Sequence, residues 1–246
     1  MIWLAFTMSA ILLAPATRFE KLSRILILEE RRADETNELA RYVTDADAGV
    51  RRRAVLAAGR IGASEHMVSM FGVLNDRKVE MRRMAVFSLG LFGERGAEQR
   101  LVMALNDGDP VVRGRAAEAL ARLGARSQAI EIARMVLKAL PEGAPKVTVR
   151  GDDPGNPDDP WVELRLGLFA LARLGDDEAA ARVLLKDGQP RFDWWAATYV
   201  AARIASPSLK PCLSMAARSS DPLSRYYAAR GLEALADPYT LDQIEE

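Results

Sequence analysis

The sequence predicts an all-α protein, a right-handed α-solenoid of about six helical hairpins behind an N-terminal capping helix. Three observations predict it. Gly or Ala recurs as a helix closer at Gly62, Gly93, Gly124, Gly175, Ala205 and Ala236, spaced 31, 31, 51, 30 and 31 residues apart. Three stretches nearly superimpose: DADAGVRRRAVLAAGRIG from Asp45, DRKVEMRRMAVFSLGLFG from Asp76 and DGDPVVRGRAAEALARLG from Asp107. Before each closer, apolar residues recur at helical spacing, as in Val112, Ala116, Ala119, Leu120 and Leu123. One such hairpin cannot bury its apolar side alone, so neighbours must stack. The 49% of apolar residues supplies the shared core.

Residues 1–16 stand apart. MIWLAFTMSAILLAP is apolar, uncharged and too short to cross a bilayer comfortably. Its length and the small-residue site Ala14-Pro15-Ala16 suit a secretory signal. No Lys or Arg precedes the apolar run, whereas Arg18, Lys21 and Arg24 follow it. The segment is read as a signal peptide or membrane tether, which makes the protein exported or membrane-associated through residues 1–15. The alternative is an apolar cap on a cytoplasmic solenoid. Residues 17–33 predict the capping helix, through Phe19, Leu22, Ile25, Leu26 and Leu28. Ser23 and Glu30 at core offsets set it apart from the repeats, as befits a terminal unit.

The solenoid proper is expected over residues 34–246. Its first helices are placed near 34–43, 66–74, 97–105, 125–140, 177–186 and 208–217, and its second near 49–61, 79–92, 110–123, 161–174, 192–204 and 222–236. Pro110 and Pro222 stand at helix entrances, where a missing N–H costs little, and Pro238 stops the last helix. The long spacing reflects an insertion at 141–160 between the helices of unit four. Within it, Lys146-Val147-Thr148-Val149 has the composition of a short strand or hairpin arm. Asp152, Asp153, Asp158 and Asp159 raise the question of calcium, but their spacing does not match an EF-hand loop.

Each clear copy has Asp, Arg and Ala at fixed offsets: Asp45, Arg51, Ala54; Asp76, Arg82, Ala85; Asp107, Arg113, Ala116. The pattern resembles the HEAT-like repeat family, in the short form also found in phycobilin lyases, over roughly residues 34–236. That resemblance implies helix–turn–helix units, an Asp–Arg ladder between neighbouring units, and second helices that line a concave surface. The turn Asp is also expected to cap its helix. Later copies drift: Leu164 and Trp194 replace Arg, Glu163 and Asp193 replace Val, and Ser219 replaces the turn Asp.

On the second helices, the face opposite the core carries the offsets two, six and nine residues after the first core position. The first of these columns reads Arg52, Arg83, Gly114, Arg165, Trp195, Tyr226, and the second Leu56, Phe87, Glu118, Phe169, Tyr199, Arg230. The third, Gly59, Gly90, Ala121, Ala172, Ala202 and Glu233, is mostly small, as expected where helices crowd inside a curve. A solvated face has no need of these rings, and aromatic residues with Arg dominate interface hot spots. Phe87, Phe169, Trp195, Tyr199 and Tyr226 are therefore read as apolar anchors for a protein partner. Arg52, Arg83, Arg165 and Arg230 are read as pairing with its acidic groups. Trp194 and Trp195 are adjacent, so one should pack while the other faces the groove.

Catalysis finds little support. His66 is the only histidine and Cys212 the only cysteine, which removes histidine clusters for zinc and most Ser–His or Cys–His arrangements. His66 is expected on the surface and Cys212 in the core. No glycine-rich phosphate loop is present, and no cofactor or metal is expected. Residues 1–140 carry 22 Lys and Arg against 17 Asp and Glu; residues 141–246 carry 12 against 17. The formal charge of zero does not favour nucleic acid. The expected function is a non-enzymatic protein-interaction scaffold. The alternatives are a phycobilin-lyase-like chromophore-handling protein and a HEAT-like DNA glycosylase, although Tyr199 stands four residues after Trp195 where a carboxylate would be wanted.

Overall fold

In the computed structural model the described residues are 16–141, 147–148, 156 and 159–235. The expected signal or tether at 1–15, the closer Ala236, Pro238 and Asp152, Asp153 and Asp158 of the insertion lie outside them. Among the described residues no helix is long and apolar enough to cross a membrane.

The capping helix α1 (Arg18–Arg31) opens on a capping box in which Thr17 accepts from the Glu20 N–H and Glu20 reaches back to the Thr17 N–H. Among the described residues six hairpins follow. Their first helices are α2 (Leu39–Val43), α4 (Glu65–Val73), α6 (Glu98–Ala104), α8 (Ala129–Lys138), α10 (Asp177–Leu184) and α12 (Lys210–Ala216). Their second helices are α3 (Ala48–Ile61), α5 (Val79–Phe92), α7 (Pro110–Arg122), α9 (Val162–Leu174), α11 (Trp195–Ile204) and α13 (Pro222–Ala234). The architecture is the expected all-α solenoid. Gly62, Gly93, Gly124 and Gly175 close their helices at φ between 65° and 77°, a left-handed backbone that a side chain disfavours.

Two elements depart from expectation. The first hairpin's opening helix starts at Leu39 rather than 34, because the Asp34 carboxylate takes the Glu38 and Leu39 N–H groups at 2.8 Å and Asn37 turns left-handed. The second helix of unit five starts at Trp195 rather than 192, because the chain first forms strands. β1 (Leu185–Lys186) and β2 (Gln189–Pro190) make a hairpin across Asp187-Gly188, both at positive φ. Phe192–Asp193 pairs in parallel with Val147–Thr148 of the insertion. The expected arm of unit four thus reaches unit five.

The turn Asp residues do not cap the helices as expected. The caps are Asp47 and Asp109, two residues later, which accept from the Val50 and Val112 N–H groups. Asp45, Asp76 and Asp107 instead brace the turn, each accepting the N–H two residues ahead at 2.8 Å. The Arg of the same copy donates to that Asp's carbonyl: Arg51 to Asp45, Arg82 to Asp76, Arg113 to Asp107. The ladder then runs between units. Lys21 pairs with Asp45, Arg82 with Asp107, and Arg113 with Glu163 at 2.6 Å. Glu163, which breaks the repeat pattern, is therefore the rung that unit four offers to Arg113. Its carboxylate pushes the Arg113 guanidinium above its ordinary value.

The second helices pack consecutively, α3 on α5, α5 on α7, and so on to α13. They meet through the small columns. A Cβ on Gly59 would stand 2.6 Å from the Ser88 carbonyl oxygen, and one on Gly90 would stand 2.9 Å from the Ala119 Cβ. Cys212 is buried, and burial pushes its thiol up to about 12. His66 is not on the surface. It is 1% exposed, with Nδ1 3.0 Å from the Asn37 Oδ1 and Nε2 3.5 Å from Asp34. It fastens the cap of unit one to unit two, and burial holds its pKa below the ordinary imidazole value despite Asp34.

Candidate functional site

Four consecutive second helices, α7, α9, α11 and α13, bound one cavity of about 840 Å³. Only residues on or just after these helices line it, which marks this row as the concave side. The floor is aromatic. Phe169 of α9 lies 5.9 Å from Trp195 and 5.4 Å, edge-on, from Tyr199, both of α11. Tyr227 of α13 stacks on Trp195 at 6.3 Å and meets Tyr199 edge-on at 5.3 Å. These tilted and edge contacts suit the ring quadrupoles and hold the cluster without closing it. Each of the four rings is half-buried. Trp194, by contrast, is 3% exposed and packs towards Trp161 at 6.4 Å. One tryptophan packs and its neighbour faces the groove.

The rim is charged. Arg122, Arg173 and Arg203 occupy one offset on α7, α9 and α11, ten residues after the first core position, and all three line the cavity. Glu118 faces the same space and holds Arg122 at 3.0 Å and Arg115 at 2.6 Å.

Of the nine residues expected to bind a partner, Phe169, Trp195 and Tyr199 converge here. The others do not. Arg165 is 4% exposed, bound to the equally buried Asp159 at 2.6 Å, so it faces the interior instead of the groove. Arg83 grips Asp109 of the next unit through two bonds, at 2.9 and 2.8 Å. Burial alone would raise the Asp109 carboxyl, but Arg83 and the Val112 N–H hold it below the usual range. Phe87 lies apart in unit two, half-buried beneath the Arg115 guanidinium at 5.5 Å. Tyr226 is 53% exposed and pairs with Arg230, hydroxyl to guanidinium at 3.3 Å. Arg52 is exposed on α3, away from the cavity.

Tyr227, Arg122, Arg173 and Arg203 were not expected. The signal was present. At about 100° per residue, offset ten lies about 40° beyond offset six on the helical wheel, and offset three, which holds Tyr227, about 60° beyond it. The groove-facing arc is wider than the three columns read from the sequence.

Residues 69–142 match the family model described as HEAT repeats. No curated protein matches the chain by sequence. The solved structures that share the fold include three of similar extent. The complex of CpcE and CpcF of phycocyanin lyase from Nostoc sp. PCC7120 is similar at 22% identity over 83% of this chain and 82% of that chain, with a TM-score of 0.53. YibA of Escherichia coli is similar at 18% identity, covering 94% and 80%, with a TM-score of 0.55. An engineered protein is similar at 18% identity, covering 83% and 97%, with a TM-score of 0.54. At these identities the likeness establishes the fold alone.

Proposed function

For this chain of HEAT repeats we propose a binding function: the solenoid is a scaffold that holds a segment of a partner protein in the cavity lined by α7, α9, α11 and α13. One observation carries the reading. Phe169, Trp195, Tyr199 and Tyr227, drawn from three helices, form a single open aromatic floor on the concave side. Half-buried rings at the base of a cavity are the anchors on which a few residues carry most of the binding energy. The proposed role is binding and not catalysis. The fold likeness to a phycocyanin lyase complex favours a second reading, in which the same cavity receives a chromophore.

The test is affinity capture from the cells that make the protein, wild type beside Trp195→Ala. The variant is expected to lose its captured protein, with a drop of about 2 kcal/mol or more, roughly thirtyfold in affinity. Circular dichroism should report unchanged helicity. An equal catch from a folded variant contradicts the proposal, and a co-purifying visible absorbance lost in Trp195→Ala replaces it with the chromophore reading.

A further inference from the structure

Several arginines on the concave side are already committed. Arg83 is held by Asp109, Arg122 by Glu118 and Arg230 by the Tyr226 hydroxyl. Arg173 and Arg203 differ. Both are exposed, both line the cavity beside the aromatic floor, and neither has a carboxylate or hydrogen-bond partner among the described residues. They sit at one offset on adjacent helices, so two positive charges border the same apolar surface. Their mutual repulsion, next to low-dielectric rings, is relieved when an anion enters. The Tyr199 and Tyr227 hydroxyls likewise carry no hydrogen bond among the described residues. Donors and acceptors for a peptide backbone therefore stand on the same floor.

We infer that the cavity selects a peptide segment in which a large apolar or aromatic side chain, set on Trp195 and Tyr227, is flanked by carboxylates that pair with Arg173 and Arg203. The inference rests on the proposed binding function and names its specificity. A carboxylate matches the guanidinium fork in a bidentate pair. A nucleic acid fits less well, because Glu118 shares the rim, the chain has no net charge, and two arginines are far from the basic stripe that a phosphate backbone wants.

The probe is a phage-displayed random peptide library selected on the full chain. Wild type is expected to enrich peptides that carry Trp, Phe or Leu with Asp or Glu beside it. Arg173→Glu combined with Arg203→Glu should enrich peptides with Lys or Arg in place of the acidic residues, and should bind the wild-type peptide at least tenfold more weakly. Trp195→Ala should enrich no motif. Circular dichroism confirms that each variant is folded. An aromatic motif without acidic positions, or an acidic preference that survives the charge reversal, overturns the inference and leaves the binding function standing. No motif for wild type overturns both. Tighter binding of a single-stranded oligonucleotide than of the selected peptide also overturns the inference.

Discussion

Arg165→Leu unfolds at a much lower urea concentration than the natural chain, with a loss of about 3–5 kcal/mol. The sequence places Arg165 in the column that begins with Arg52 and Arg83, where replacement would cost stability little. The structure buries it. Its guanidinium lies 2.6 Å from Asp159, whose side chain is 1% exposed and whose other oxygen accepts the Trp161 N–H at 3.1 Å. Leucine removes the cation and takes the guanidinium from a buried carboxylate at the foot of α9, the helix that carries Phe169. Asp159→Asn in the same background removes the buried negative charge and should recover part of the loss. Equilibrium unfolding followed by circular dichroism reads both. A single variant within about 0.5 kcal/mol of wild type would mean the pair is solvated.

Gly59→Ala destabilises by about 1–3 kcal/mol, against the sign that helix propensity predicts. In a free helix the change gains roughly 0.5–1 kcal/mol, because glycine loses more backbone freedom on folding. At position 59 the new Cβ would stand 2.6 Å from the Ser88 carbonyl oxygen and 2.8 Å from its Cα, and backbone cannot swing aside. α3 and α5 must separate. Gly72 of α4 is the internal control, since a Cβ there meets nothing within 4 Å. Gly72→Ala should therefore stabilise by about 0.5–1 kcal/mol. Opposite signs in the unfolding midpoints support tight inner packing; equal signs would refute it.

The period was legible because each unit repeats the same physical need, a left-handed closer and an apolar stripe for its neighbour. Gly93 and Gly124 announce their helix ends unaided. Non-local demands were not legible. Nothing near Arg83 in sequence says that Asp109 will stand across from it in the next unit, so its guanidinium reads as free. Trp195 begins a helix only because Phe192–Asp193 is first drawn into strand pairing with residues 147–148. The Asp187-Gly188 turn carries a hairpin signal in the connection between the helices placed at 177–186 and 192–204, where the sequence reading assigned no strands. The aromatic floor was half legible. Phe169, Trp195 and Tyr199 stood out as rings on the face opposite the core, whereas Tyr227 and the arginine row lay outside the three columns read there.

Photocrosslinking tests most directly whether the concave aromatic floor receives a partner protein. Tyr199→p-benzoylphenylalanine places a photoreactive ring in the cavity, and Met103→p-benzoylphenylalanine places one on the exposed face of α6, outside it. Irradiation in the cells that make the protein, followed by mass spectrometry of the adducts, compares the two sites. A discrete covalent protein adduct is expected from position 199 and none of that identity from position 103. The same adduct from position 103, with position 199 silent, would contradict the proposed binding.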